Sequence, residues 1–297
     1  MSNSQTIQAL TVPERVTLEL TNHCNLDCPF CPRQHMDYPL GFMEKKLFQR
    51  LVEELAQLGT RTLVPFFRGE PLLHKDCQEL LAHAKGKGFV IQLATNGLLL
   101  TEEIGHAFVA MGIDFVSFSV DAIHQETYKE RRRGGSFDKM IEGVNNLLQA
   151  RKKAKTDLPR IQVSAVDTGM SPNEKEEFIA FWQQRADQIR IYPQHTKDGR
   201  FGSLEVPENC KRQPCLKTFK EMVVYWDGRI AICNHDWNRK QGPLVQQSTI
   251  QELWTNDWYQ ELRRNQHELD FPADALCAPC GHWPQYCPEP KTVGEKV

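Results

Sequence analysis

Three cysteines crowd the segment TNHCNLDCPFCPRQ, residues 21–34, at the spacing Cys-x3-Cys-x2-Cys. Cys24, Cys28 and Cys31 supply three thiolates in one loop, and the segment holds no fourth. Thiolates bind zinc or iron–sulfur clusters. A structural zinc ion takes four ligands, usually as two distant pairs, so three in one loop favour a cubane cluster with three irons anchored and one left open.

A second group of cysteines lies towards the other end of the chain. It contains four that could form another ligand set: Cys215, Cys233, Cys277 and Cys280. Between the first two, the stretches MVVYW and RIAIC are joined by Asp227-Gly228, a strong signal for a β-hairpin. Two pairs of thiolates also suit a structural zinc ion, as in a zinc ribbon.

The composition limits the classes of protein to consider. A chain of 297 residues with 40% hydrophobic residues has room for one large domain and a smaller one. The net charge of −2 predicts neither a nucleic-acid partner nor an anionic membrane surface. The sequence has no apolar run of the roughly 20 residues that span a bilayer, and its first 16 residues do not resemble a secretory signal. We therefore expect a cytoplasmic protein, where clustered thiols bind metal rather than form disulfides.

Short apolar stretches alternate with helical patterns in the first two thirds of the chain. We predict six strands, at residues 16–20, 62–67, 89–95, 115–120, 161–166 and 189–192. Between the first two, Leu47, Leu51, Leu55 and Leu58 recur at helical spacing, and Gly59 is a stop signal. Six such alternations predict an α/β fold, a parallel sheet with helices outside it, as an open, partial (βα)6 barrel.

A later helix is predicted to begin at Pro172. Ser171 is a good N-cap, and proline suits the first helical turn. Glu174, three residues after Ser171, completes the sequence signature of a capping box. We therefore expect its carboxylate to bond back to the start of its own helix.

Unusual residues follow the predicted strands at their carboxyl ends, where folds of this class carry out their chemistry. Strand one leads into the three cysteines. The other strand ends carry RGEPLL (68–73), TNG (95–97), SVD (119–121) and YPQH (192–195). The candidate site therefore lies along one rim of the sheet.

The cysteine loop and these rim motifs together resemble the radical S-adenosylmethionine superfamily. The resemblance covers residues 16–193 and implies a 4Fe–4S cluster held by Cys24, Cys28 and Cys31, with S-adenosylmethionine bound at the open iron. RGEP is similar to the family's Gly-Gly-Glu segment, although Arg68 stands where the family has its first glycine. Gly69 would then allow close approach, and Glu70 would accept a hydrogen bond from the methionyl ammonium.

The same resemblance implies four further contacts with S-adenosylmethionine. Phe30 occupies the aromatic position beside which the family places the adenine ring of S-adenosylmethionine. Thr95 and Ser119 match polar positions that contact the ribose or the carboxylate of this cofactor. One arginine of the run at 131–133 would pair with the methionyl carboxylate in a fork that lysine cannot copy. Spacing favours Arg132 and leaves its two neighbours as alternatives.

The resemblance also implies the chemistry. A reduced cluster cleaves S-adenosylmethionine to a 5′-deoxyadenosyl radical, which abstracts hydrogen from an unactivated C–H bond. A low-potential donor such as flavodoxin or ferredoxin would supply the electron. The protein contributes cluster potential, orientation and exclusion of water.

The second cysteine group resembles the twitch, or half-SPASM, extension of these enzymes, which holds one auxiliary 4Fe–4S cluster. Its spacing is similar to that of the butirosin-pathway aminocyclitol dehydrogenase, whereas a full SPASM domain would carry seven cysteines. We expect an N-terminal extension at 1–15, the barrel at 16–205 and the auxiliary-cluster domain at 206–297.

The substrate side of the site is less determined by the sequence. Tyr192 and His195 leave the last predicted strand and suit a polar substrate, and Cys210 could donate a hydrogen atom. The short stretch before the first strand favours a small polyhydroxylated substrate, such as a sugar or aminocyclitol, that is dehydrogenated or epimerised. Two alternatives stay open, a peptide maturase with a separate recognition partner and a non-enzymatic zinc-ribbon protein.

Overall fold

The structure, a computed structural model, describes residues 8–194, 206, 210–237 and 242–287. Every strand predicted from the sequence overlaps one that is observed. These are β1 (Arg15–Leu18), β2 (Thr62–Val64), β3 (Val90–Thr95), β4 (Phe115–Ser119), β5 (Arg160–Asp167) and β6 (Gln188–Pro193). The predicted hairpin supplies two more, β7 (Glu221–Val224) and β8 (Ile230–Ala231).

Helices separate the strands and cover the sheet. Those of the first two thirds are α1 (Lys45–Leu58), α2 (Cys77–Gly86), α3 (Glu102–Met111), α4 (Gln125–Arg131), α5 (Phe137–Ala154) and α6 (Pro172–Trp182). The remainder are α7 (Lys217–Lys220), α8 (Ile250–Thr255) and α9 (Asp257–Glu268). The predicted leucine stripe of α1 faces the core, with Leu51 and Leu55 fully buried. Gly59 ends this helix in the left-handed conformation, at φ 85°.

Within the described residues, eight strands form one sheet in the order β6-β5-β4-β3-β2-β1-β7-β8. The first six pair in parallel with their neighbours, and each crossover carries at least one helix. Both faces of the central strands are buried, as the five consecutive buried residues of β5 illustrate. The sheet stays open between β6 and β8, so the predicted partial barrel is confirmed.

The hairpin of the second cysteine region belongs to this same sheet. β7 pairs in parallel with β1, in a register that places Val16 beside Met222 and Leu18 beside Val224. β8 then pairs antiparallel with β7. The sequence predicted the hairpin but not its attachment to the barrel.

The predicted capping box of α6 is only half formed, and its second half is a correction to the sequence analysis. Ser171 accepts a hydrogen bond from the Glu174 amide at 3.1 Å, as expected. The Glu174 carboxylate instead accepts from Arg131 at 2.6 Å. Because a guanidinium gives a charge-assisted bond, it competes well against the backbone amide of Ser171.

Two further findings concern the predicted domain boundary and the question of membrane-spanning helices. The predicted domain boundary at 205 and 206 falls in a stretch of which only residue 206 is described. Among the described residues, every helix is too short or too polar to cross a membrane.

Candidate active site

Cys24, Cys28 and Cys31 lie in the loop that follows β1, at the carboxyl end of the sheet. Cys28 is buried and the other two are half-buried. Burial raises the pKa of the Cys28 thiol to about 11, with Cys31 and Cys24 adding to the effect and Arg132 opposing it. Burial also raises the pKa of Cys24. Because metal ligands bind as thiolates, iron binding here must displace protons.

Neighbouring strand ends hold the cysteine loop in place. The Glu70 amide donates to the carbonyl of His23 at 2.8 Å. The Asn96 side chain donates to that of Asn25 at 2.7 Å. The Asp27 amide donates to the carbonyl of Arg133 at 2.9 Å. The loops after β2 and β3 and the segment between α4 and α5 thus each contact the three-cysteine loop.

Gly69 and Glu70 sit where this loop meets the end of β2. A Cβ at Gly69 would lie far inside van der Waals contact with the carbonyls of Thr21 and His23, so the two backbones need a glycine to come this close. Glu70 is 2% exposed. Its carboxylate accepts from the Leu72 amide at 3.1 Å, the Thr95 hydroxyl at 2.8 Å and the Asn96 amide at 2.7 Å.

The net effect of this environment is to raise the pKa of Glu70. Burial is the main cause, and the bonds from Asn96, Leu72 and Thr95 and the charge of Arg132 offset part of it. A carboxylate has about four acceptor positions, and the three bonds leave room for one more donor. Glu70 and Arg132 are thus opposite charges close enough to interact, an arrangement that suits the ammonium and carboxylate of an amino acid.

Arg132 is held by a residue whose role the sequence did not reveal. Its Nε forms an ion pair with the carboxylate of Asp121, which is fully buried. The other oxygen of Asp121 accepts from the Val166 amide of β5 at 2.6 Å. Asp121 has φ 66°, a left-handed conformation uncommon outside glycine, asparagine and aspartate. Arg131 takes a different part, donating to the Asp121 carbonyl at 2.8 Å as well as to Glu174.

The remaining predicted contacts of S-adenosylmethionine lie on the same rim. The guanidinium carbon of Arg132 is 5.6 Å from the ring centre of the half-buried Phe30. Ser119 is half-buried at the end of β4, opposite Ser164 of β5. Thr95 is buried, and its hydroxyl already supports Glu70. Among the described residues, the Nη2 of Arg132 meets no acceptor and stays available for a carboxylate.

The four cysteines of the second group line one cavity: Cys215, Cys233, Cys277 and Cys280. Burial raises the pKa of the Cys215 thiol to about 12, and Cys233 and Cys277 add to the effect. Four thiols around one space form the donor set of a tetrahedral metal site or a cubane cluster. Among the described residues, no three metal-binding side chains are grouped so as to hold a single metal ion, which tells against a zinc ion here. A cubane does not need that grouping, because it binds each thiolate through a different iron.

Arg212 makes hydrogen bonds to the backbone of two of these four cysteines. Its Nη1 donates to the carbonyl of Cys280 and its Nη2 to that of Cys277, both at 3.0 Å. The guanidinium also packs 5.0 Å from the ring centre of Phe271. It fixes the Cys-x2-Cys turn and brings a positive charge beside the thiols. Nothing in the local sequence distinguished this arginine.

The predicted substrate residues are only partly described. Tyr192 is half-buried near the end of β6, opposite Val166 of β5, and Arg190 packs over its ring at 4.4 Å. Cys210 is half-buried in an irregular segment. His195 lies outside the described residues.

Comparison with known families identifies the class of protein. The model of the Radical SAM superfamily matches residues 18–195, more than half of the sequence, so the chain belongs to this superfamily. The SPASM model, an iron–sulfur cluster-binding domain, matches residues 215–281. The cofactors of this class are a 4Fe–4S cluster with S-adenosylmethionine and an auxiliary cluster. The three thiols, the buried Glu70 and the four-cysteine cavity fit them.

Individual relatives are distant. The chain is 32% identical over 132 residues to an Fe-coproporphyrin III synthase of Methanosarcina barkeri, which covers 44% of this chain and 33% of that protein. It therefore spans only a third of that relative's length. The structure is similar to SuiB of Streptococcus suis bound to precursor peptide SuiA, with a TM-score of 0.70 and 15% identity. That match covers 92% of this chain and 70% of SuiB. It is also similar to BtrN in complex with AdoMet and 2-DOIA, with a TM-score of 0.58 and 18% identity. That match covers 88% of this chain and 89% of BtrN.

Proposed function

We propose that this radical S-adenosylmethionine enzyme abstracts hydrogen from a small polyhydroxylated substrate, such as a sugar or aminocyclitol, and dehydrogenates or epimerises it. The observation that carries the proposal is the pairing of two thiol sites on one sheet, three thiols at the β1 loop and four around the cavity beside β7. The near-complete mutual coverage with BtrN, whose complex contains 2-DOIA, supports a small substrate.

Each residue of the rim has a part in this proposal. When bound, a reduced cluster and S-adenosylmethionine supply a radical able to take hydrogen from an unactivated C–H bond. Glu70 accepts from the methionyl ammonium and Arg132 donates to the carboxylate, while Phe30, Gly69, Thr95 and Ser119 shape the rest of the cofactor site. Tyr192 and His195 bind substrate hydroxyls at the end of β6.

The proposal also concerns partners and location. The electron donor is a low-potential protein such as flavodoxin or ferredoxin. Seven cluster-binding thiolates require a reducing compartment, which favours the cytoplasm.

Anaerobic turnover with a library of sugars and aminocyclitols tests the substrate class. We expect a member of the library to stimulate formation of 5′-deoxyadenosine, measured by mass spectrometry. A second candidate is a peptide maturase, which the higher TM-score to peptide-bound SuiB favours. Stimulation by a precursor peptide and by none of the sugars or cyclitols would establish that candidate instead.

Cys210→Ala separates the two outcomes on a sugar substrate. Dehydrogenation removes a second electron, which the auxiliary cluster would accept, and releases a proton to solvent, so it needs no hydrogen-atom donor, and we favour this outcome. The variant should then give the wild-type product at the wild-type rate. Epimerisation is indicated if the variant stalls after abstraction and wild type in heavy water places one deuterium on an inverted carbon.

A further inference from the structure

Arg68, which replaces the first glycine of the family's motif, is a buried cation at the boundary between the two thiol sites. It is 7% exposed. Its guanidinium carbon lies 3.8 Å from the ring centre of Phe67 and 3.2 Å from that of Trp237. Its Nη2 donates to the carbonyl of Asp236 at 2.6 Å. The side chain thus crosses from the loop after β2 to the auxiliary-cluster region.

The segment that Arg68 contacts is a turn that begins at a ligand of the auxiliary site. The Asp236 amide donates to the carbonyl of Cys233 at 3.0 Å, and the Asp236 carboxylate accepts from the Ile232 amide at 3.1 Å. Tyr225 of the hairpin donates to the same Asp236 carbonyl at 2.6 Å. Any shift of Cys233 therefore moves the acceptor of Arg68.

On its other side, Arg68 is one residue from the proposed S-adenosylmethionine contacts. Gly69 packs against the carbonyls of Thr21 and His23 with no room for a methyl group. Glu70 follows, and its amide bonds to His23. Because backbone is packed against backbone here, a displacement of Arg68 cannot be absorbed without moving Glu70 or the three-cysteine loop.

We propose that Arg68 couples the auxiliary site to S-adenosylmethionine binding. With the auxiliary site filled, Cys233 and its turn are fixed, and Arg68 holds Gly69 and Glu70 in the binding position. With that site empty, the turn loosens and S-adenosylmethionine binds more weakly. The coupling is reciprocal, because an effect of one site on the affinity of another must act equally in return. The inference rests on the proposed role of Glu70.

A double-mutant cycle tests the coupling. Cys277→Ala empties the auxiliary site through a ligand that lies outside the Cys233 turn, and Arg68→Met removes the donor while keeping a long apolar stem. The dissociation constant of S-adenosylmethionine is measured anaerobically by calorimetry on protein reconstituted with iron and sulfide. We expect each single variant to weaken binding at least about fivefold, the low end of typical allosteric couplings. The double variant should bind S-adenosylmethionine no more weakly than the single variant with the lower affinity does.

Two additions make the result decisive. Arg68→Lys keeps a cation between the rings but loses the guanidinium fork, so it should recover only part of the affinity. Arg185→Met is the control, because Arg185 also packs on an aromatic ring, at 4.5 Å from Phe181, and donates to a carbonyl, at 2.8 Å. Its affinity should equal that of wild type.

The outcomes distinguish the inference from the proposed function. Additive effects of Arg68→Met and Cys277→Ala, or wild-type affinity in Cys277→Ala, overturn the coupling. Wild-type affinity in Glu70→Gln overturns the assignment of the cofactor site itself. Because S-adenosylmethionine would bind the open iron of the first cluster, the electron paramagnetic resonance of that cluster should change on binding and reads out each variant independently of turnover.

Discussion

At the residue scale, the candidate site depends on charges that are buried in pairs. Glu70 accepts three hydrogen bonds and lies near Arg132, which in turn pairs with Asp121. A buried charge without a partner is costly, so each of these groups fixes the position of the next. Two substitutions, Glu70→Gln and Asp121→Asn, distinguish the roles of these two carboxylates in binding S-adenosylmethionine.

Glu70→Gln should weaken S-adenosylmethionine binding by roughly 1.5–3 kcal/mol, the range for a hydrogen bond to a charged group. The amide keeps the size of the side chain but loses the negative charge that the methionyl ammonium needs. Both clusters should assemble normally, because no cysteine is changed. Calorimetry gives the dissociation constant, and iron analysis gives the cluster content.

Glu54→Gln is the matched control for this substitution. Its carboxylate likewise accepts from a backbone amide, that of Ile250 at 2.9 Å, and from Arg50 at 2.6 Å. It lies on α1, away from the strand ends, so affinity should not change. An equal loss in both variants would assign the effect of Glu70→Gln to general destabilisation.

Asp121→Asn should weaken S-adenosylmethionine binding by about 1–3 kcal/mol, because Arg132 loses the charged partner that aims it. Asparagine tolerates the left-handed backbone and can still accept from the Val166 amide, so the protein should remain folded. Calorimetry on folded protein, checked by circular dichroism, measures the effect.

Asp187→Asn is the control, since Asp187 has the same kinds of partner at the opposite end of β5. It accepts from Arg151 and from the Ile161 amide, both at 2.6 Å. Loss of these bonds should lower stability without changing the affinity for S-adenosylmethionine. If only Asp187→Asn altered binding, the role given to Asp121 would be wrong.

At the element scale, the site is formed by loops after successive strands that touch backbone to backbone. The β1 and β2 loops meet at Gly69. The β3 loop meets α5 in a similar way, where a Cβ on Gly143 would overlap the carbonyl of Gly97. Parallel strands bring these loops to one rim, and small residues let them approach.

Gly69→Ala should lower the free energy of unfolding by about 1–3 kcal/mol, the usual cost of overpacking, and abolish measurable S-adenosylmethionine binding. Urea denaturation and calorimetry measure the two effects. Gly86→Ala is the control, because nothing lies within 4 Å of its Cβ position at the end of α2. It should be neutral or slightly stabilising. Unchanged binding in Gly69→Ala would contradict the close approach.

At the scale of the whole molecule, the two thiol sites divide the iron between them. After anaerobic reconstitution we expect about eight iron and eight sulfide per chain, as two cubane clusters. Alanine at Cys24, Cys28 and Cys31 should leave about four iron, and so should alanine at all four cysteines of the second cavity. A full iron complement in either variant would show that the ligands are divided differently.

The shared sheet makes the second region part of the structural core. β7 covers the edge of β1, whose Val16 and Leu18 are fully buried. A chain ending at residue 205 should therefore aggregate, since it exposes an unpaired apolar strand. Full-length Cys277→Ala, which keeps β7, should elute like the wild-type protein in size-exclusion chromatography. A truncated chain that stays folded and free of aggregates would show that the barrel does not need β7.

Much of this fold could be predicted because its signals are local. The strands and α1 follow from the period of their apolar residues, and Gly59 and Asp227-Gly228 mark a helix end and a hairpin. The two cysteine sets were identified because their spacing along the chain is characteristic. Family resemblance then supplied the cofactors, which the superfamily and cluster-domain matches bear out. The individual roles of the rim residues stay predictions.

What only the tertiary structure decided are contacts between residues distant in sequence. Glu174 bonds to Arg131, 43 residues away, rather than to its own helix, because a charged partner competes with a backbone amide. β7 joins β1 because an open strand edge must be paired or covered. Arg68 reaches Asp236 across 168 positions. Spacing alone carries no information on such pairs, since they depend on which loops the folded sheet brings together.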